Sequence, residues 1–186
     1  MVLSDREIQA ALENGHIVIN PPPNAEAFSS TSVDLTLGYT VRVWSPTNTP
    51  GVEAEVFTPG VRGYESDRII QEHTERSVIP ADGLIVEPSD FVLAWTLERI
   101  ELPSEHRIAA RVEGKSSLAR LGIGVHVTAP TIHAGYRGVI QLEICNHGPV
   151  RVKLHAEMSI CQLIFEETHG TPEKAYTGQF LDQQPS

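Results

Sequence analysis

The amino-acid sequence predicts a mainly β protein opened by one short helix. Three observations carry this. From residue 16 onward, apolar residues recur at every second position in short runs; turn-forming Gly, Pro, Asn and Asp separate most of the runs; and helical spacing is confined to the first fourteen residues. Many short strands at such spacing point to a sandwich or barrel. A chain of 186 residues fits a single domain with a core large enough to need no covalent staples. No internal repeat divides it. We expect one β domain over 1–170 and a separate polar segment over 171–186.

The helix comes first. Ser4 and Glu7 have the S-x-x-E spacing of a capping box, Ile8, Ala11 and Leu12 supply an apolar stripe, and Asn14-Gly15 supplies the stop. His16 to Asn20 then reads as a strand, halted by Pro21-Pro22-Pro23. Ser32 to Leu37 alternates up to Gly38, and Val41 to Trp44 follows. Residues 45–66 are rich in Pro, Gly, Thr and Glu and read as an irregular excursion. Further strands are expected at 68–70, 76–79, 83–87, 91–96, 107–113, 123–128, 138–145, 150–154 and 158–166. The last sixteen residues are polar and carry two prolines, which suits a tail better than a packed element.

Charge narrows the partners. With 24 acidic against 14 basic side chains the formal charge is −10, which argues against a surface that coats nucleic acid. A single phosphorylated small molecule in a local basic pocket remains compatible with it. No run approaches the roughly 20 apolar residues of a membrane span, and the N-terminus lacks a signal-peptide pattern. The two cysteines, Cys145 and Cys161, sit in apolar runs and lack the C-x2-C spacing of a zinc site. Buried free thiols in a reducing compartment, hence a cytoplasmic protein, are the expectation.

Two local patterns could carry chemistry. Gly114-Lys115-Ser116-Ser117-Leu118-Ala119-Arg120 follows a strand and offers a glycine, two hydroxyls and two cations within seven residues, the groups a polyphosphate requires. It is not a Walker A loop, because Ala109 stands where that loop needs glycine. A solvated turn with a capped helix is the competing reading. In Val139 to Asn146, alternation puts Ile140, Leu142 and Ile144 on one face and Gln141, Glu143 and Cys145 on the other. A carboxylate amid apolar strand residues either faces water or serves in a cleft as a general acid–base. His155-Ala156-Glu157 matches half of a zinc-deaminase signature, but no C-x-x-C follows. His126 reads as a packed core or interface residue, and no serine-hydrolase elbow occurs.

Taken together, these motifs resemble the dCTP deaminases, which share a fold with the trimeric dUTPases. The resemblance runs nearly end to end. It comprises Leu3-Ser4-Asp5 with Ile8; Ser32 to Gly38; Phe91 to Ala94 with Thr96-Leu97-Glu98 and Leu102-Pro103; Gly114 to Gly122; Leu142-Glu143; and Met158 to Leu163. It implies a dUTPase-like distorted jelly-roll (β-clip) fold and hydrolysis of dCTP to dUTP and ammonia without zinc. Glu143, Ser116, Arg120 and the Ala129 carbonyl are the implied catalytic set. Of these, Ser116, Ala129 and Glu143 hold the attacking water and Arg120 lies near Glu143. Lys115, Ser117, Arg120, His133, Gln141, Tyr176 and Gln179 are the implied nucleotide-binding positions. The segment 171–186 would fold over bound nucleotide as a lid. The family implies a homotrimer with sites between subunits, and Mg2+ that arrives with the triphosphate.

This chain departs from the family at three places. His133 replaces an aspartate that contacts the sugar, Ala175 replaces a lysine before Tyr176, and Pro130 follows Ala129. Three alternatives stay open on sequence. One is a dUTP diphosphatase or a bifunctional deaminase–diphosphatase, another a hydrolase of a different cytosine nucleotide, and the third a silent nucleotide-binding module.

Overall fold

The computed structural model describes residues 1–45, 56–174, 176–178 and 180–185. Helix α1 spans Asp5–Glu13 with the expected capping box at Ser4 and Glu7. The Ser4 N–H donates to the Glu7 carboxylate at 2.9 Å, and the Ser4 hydrogen bonds, its hydroxyl's first, hold that carboxyl below the usual range. Ile8 and Ala11 bury the helix's inner face. The Asn14 side chain donates back to the Ala10 carbonyl at 2.8 Å and closes the helix.

The strands that follow are β1 (Val18–Asn20), β2 (Phe28–Ser29), β3 (Ser32–Trp44), β4 (Thr74–Val78), β5 (Leu84–Val86) and β6 (Phe91–Glu101). After them come β7 (Ile108–Gly114), β8 (Ile123–Gly124), β9 (Thr131–Ile132), β10 (Arg137–Asn146), β11 (Val152–Leu154) and β12 (Ser159–Glu167). Ten of them form one antiparallel sheet in the order β8-β10-β6-β3-β12-β7-β9, with β1 on β6 and both β2 and β4 on β3. β5 and β11 pair separately. The mainly β expectation and the short opening helix are borne out.

Strand β3 organises the sheet. The runs 32–37 and 41–44 are one strand of 13 residues, whose first half pairs with β12 and whose second half pairs with β6 and β4. The change of partner falls at Gly38. A Cβ there would lie 2.9 Å from the Trp95 carbonyl oxygen, so glycine lets two backbones meet where the sheet turns over. Alternate residues Val33, Leu35 and Leu37 point inward and are fully buried, alongside Leu142, Ile144, Leu163 and Phe165. Each such side chain contributes on the order of 1.5–3 kcal/mol by leaving water.

Three expectations are corrected. Residues 68–70 lie in a helix, α2 (Ser66–His73), not a strand. The Ile69-Ile70 pair is too short to set a period, and Arg68 with Glu72 forms an i,i+4 ion pair at 3.0 Å that the helix supports. The strand expected at 123–128 stops at Gly124, because the Glu143 side chain, not a ladder carbonyl, accepts the Val127 N–H at 3.2 Å. The strand expected from 150 begins at Val152; the Val150 carbonyl instead accepts the Asn146 amide at 2.8 Å. Of the 45–66 excursion, residues 46–55 lie outside the described residues, and 56–65 form turns. Among the described residues, no helix is long and apolar enough to cross a membrane.

Candidate active site

The site begins with β10. Ile140, Leu142 and Ile144 are buried, whereas Gln141, Glu143 and Cys145 are half-buried on the opposite face, as the alternation predicts. Pairing with β6 runs along β10 from Arg137 to Cys145, with β8 joining only at Cys145 and Asn146, and it fixes the direction of the outward side chains. A bulge between Val139 and Gln141 shifts the register, and Tyr136 closes it by donating its hydroxyl to the Val139 carbonyl at 2.6 Å. Burial pushes the Tyr136 phenol well above its ordinary range, so it stays a donor.

Glu143 and Gln141 line a cavity of about 230 Å³ together with Ala129, His133, Tyr176 and Gln183. The Val127 N–H holds one Glu143 oxygen at 3.2 Å. Beyond Glu143 on the same face, burial first and then the Glu143 charge push the Cys145 thiol above its usual range. Cys161 is buried and Cys145 half-buried, and both are free thiols. At the cavity mouth the His133 and Tyr176 rings stack, with centroids 5.5 Å apart and planes at 14°. Tyr176 also leans on Tyr136 and donates its N–H to the Ala134 carbonyl at 3.2 Å. Five of the implied residues, Ala129, His133, Gln141, Glu143 and Tyr176, therefore meet in one place.

The Lys115–Arg120 turn does not line that cavity. A short helix, α3 (Ser116–Ala119), follows β7, and its Leu118 packs on the core. Ser116, Ser117 and Arg120 are exposed. Lys115 is ion-paired with Asp34, whose carboxylate also accepts the Ser159 hydroxyl at 2.9 Å. Gln179 lies outside the described residues. His126, expected in the core or at an interface, is half-buried and lines the cavity with Glu143, as do Tyr136, Phe180 and Gln183. The alternation of His126 within an apolar run hid it, and nothing local marks Gln183. His155 is exposed, and among the described residues no three His, Cys, Asp or Glu side chains are grouped to hold a metal ion.

The curled antiparallel sheet has a dUTPase-like fold. By structure it is similar to a 2'-deoxycytidine 5'-triphosphate deaminase from Agrobacterium tumefaciens, at a TM-score of 0.67 and 22% identity over 90% of this chain and 48% of that one. The chain thus spans about half the length of that protein. A variant dUTPase from phage phi11 of S. aureus shares the fold at a TM-score of 0.51 and 9% identity, over 87% of this chain and 97% of that one.

The chain belongs to the dCTP deaminase-like family, whose model matches residues 2–168. It is 36% identical over 188 residues to a dCTP deaminase of Rhodospirillum rubrum, covering 98% of this chain and 93% of that protein. It is 37% identical over 172 residues to a dUMP-forming dCTP deaminase of Methanobrevibacter smithii, covering 92% and 82%. A dCTP deaminase of Shewanella oneidensis is 37% identical over 99% of this chain and 95% of its own.

Proposed function

We propose that the protein hydrolyses the C4–N4 bond of dCTP, giving dUTP and ammonia. The observation that carries this reading is Glu143, a carboxylate held by the Val127 N–H on the wall of a cavity of about 230 Å³. Glu143 accepts a proton from a water as its oxygen adds to C4, and passes it to N3. It then moves the second proton from the new hydroxyl to the amino nitrogen. The C4–N4 bond breaks, ammonia leaves, and the C4 carbonyl forms. The family relationship supports this assignment of roles.

Completing the site takes a second copy of the chain. Ser116, Ser117 and Arg120 are exposed on one copy and do not line its own cavity, as groups serving a neighbour would be. A homotrimer would bring them to the next copy's Glu143, with Ser116 and the Ala129 carbonyl on the water and Lys115, Ser117 and Arg120 on the phosphates. In a molecule of charge −10 the triphosphate would arrive with Mg2+ as part of the substrate. The His133–Tyr176 stack at the mouth would receive the sugar, and Gln179 would close over the nucleotide. The two free thiols suit a cytoplasmic enzyme.

One incubation tests the reading. Purified protein is given dCTP, CTP, dCMP or dUTP with Mg2+, and ammonia and pyrophosphate are followed separately. Ammonia from dCTP is the expected result. Pyrophosphate from dUTP, without ammonia from any cytosine nucleotide, would replace the reading with that of a diphosphatase.

A further inference from the structure

Past Gln179 the chain turns back onto the strand that carries Glu143. The Asp182 N–H donates to the Arg137 carbonyl at 2.7 Å, and the Val139 N–H donates to the Gln183 carbonyl at 3.2 Å. Gln183 lies beside Gly138 in a parallel bridge. Gly138 has φ +151°, and a Cβ there would stand 2.9 Å from the Gln183 nitrogen, so only glycine lets the tail approach this closely.

A clamp holds the approach. The Asp182 carboxylate takes two hydrogen bonds from Arg137, at 2.6 and 2.7 Å, and one from Arg99 at 3.1 Å. The paired contact from Arg137 is the bidentate arrangement that fixes orientation as well as distance. With the main chain held, the Gln183 side chain reaches the cavity, where its Nε2 donates to Oε1 of Gln141 at 3.3 Å.

We propose that Gln183 is a positioning residue of the nucleotide site, held in place by the Asp182 clamp, and that it sets the amide of Gln141 against the carbonyl-and-sugar end of the pyrimidine. The proposal rests on the deaminase reading, which puts the base's 4-position at Glu143. Gln141 and Glu143 leave the same face of β10 two residues apart, about 7 Å along the strand. That separation is somewhat wider than the gap between a pyrimidine's 2- and 4-substituents, so two converging side chains can address both. A carboxamide alone in a cavity can present either end. With its oxygen engaged by Gln183, Gln141 has N–H donors to offer, and a donor suits a ring carbonyl or a sugar oxygen. Asp182 acts through Gln183 and is a positioning residue.

The test uses the full chain with Gln183→Ala and Asp182→Asn, titrating dCTP and dUTP with Mg2+ and measuring kcat and KM for dCTP alongside. Both variants should weaken nucleotide binding and raise KM about three- to tenfold, the scale of one hydrogen bond, with kcat falling less than KM rises. Hydrogen exchange at the Val139 amide should quicken in Asp182→Asn and stay slow in Gln183→Ala, because only the first releases the main chain. Unchanged nucleotide affinity in Gln183→Ala would overturn the proposal, as would an unmoved Val139 amide in Asp182→Asn. A wild-type protein that binds these nucleotides but releases no ammonia would overturn the deaminase reading instead, and the affinity comparison would still decide the role of Gln183.

Discussion

The wall built by β10 and the turn Lys115–Arg120 carry comparable numbers of polar side chains, yet the fold treats them in opposite ways. On β10 each half-buried polar residue sits between fully or nearly fully buried neighbours, Leu142 and Ile144 at 0% and 1% exposed, so its direction is fixed by the core behind it. On the turn, a single side chain, Leu118, packs on the core, and Ser116, Ser117 and Arg120 face outward. A reacting base needs the first kind of setting, because proton transfer demands placement within hydrogen-bond reach. A flexible triphosphate tolerates the second, because charge attraction acts over longer distances. The division teaches that one chain holds a polar wall fixed by its core and a polar turn left open to a partner, which under the proposed function would be a finished reaction wall and an unfinished phosphate site.

The largest effect should come from the wall. Glu143→Gln should lower kcat for ammonia release by about 10²- to 10⁴-fold, the usual scale for a general acid–base, while nucleotide affinity measured by titration changes little. A variant that keeps its rate would reduce Glu143 to an ordinary strand carboxylate. Next comes the division itself. Arg120→Ala should also be inactive, and co-expressing it with Glu143→Gln should restore about a quarter of wild-type turnover, since random mixing in a cyclic trimer leaves that share of sites with both halves intact. No recovery from an assembled mixture would mean that both halves serve the same copy. Stability sharpens the contrast further: Leu142→Ala should cost about 2–5 kcal/mol in denaturant unfolding. Ser117→Ala on the exposed turn should stay within about 0.5 kcal/mol. Equal costs would show the turn to be as firmly built as the wall.

What sequence could reveal follows the same line. The β10 face was legible because a period of two is a local property, and Gln141, Glu143 and Cys145 emerge together where alternation puts them. The capping box at Ser4 and Glu7 was legible for the same reason. Helix α2 was not, because a two-residue apolar run fits either period. The shortened strand at 123 depends on a side chain 16 residues away, Glu143, taking a backbone donor. The pairing of Lys115 with Asp34 spans 81 residues, and no spacing rule reaches that far. Nor does any local pattern mark Asp182 and Gln183, whose partners lie on β6 and β10; only Gly138, seen afterwards, hints at a chain passing close by.

The smallest expected effect concerns the tail that joins the wall from outside, and its sign follows from the clamp. Hydrogen bonding from Arg137 holds the Asp182 carboxyl below its usual range, and the same contact raises the Arg137 guanidinium. A carboxylate lowered by its docked partners contributes to docking at any pH above its ordinary value, and that contribution disappears as pH falls through the lowered one. Tail docking should therefore be flat from neutrality down to about pH 4, the ordinary aspartate value, and weaken only below it. Exchange at the Val139 amide, corrected for its intrinsic pH dependence, reads this directly. Asp182→Asn should exchange faster throughout and show no acid transition of its own. Because the clamp is exposed to water, added salt should shorten the plateau's protection by screening, which a buried wall contact such as the Tyr136 hydroxyl to the Val139 carbonyl would feel less. A docking loss between pH 6 and 5, or an identical profile in Asp182→Asn, would assign the closure to some other group and remove Asp182 from its role.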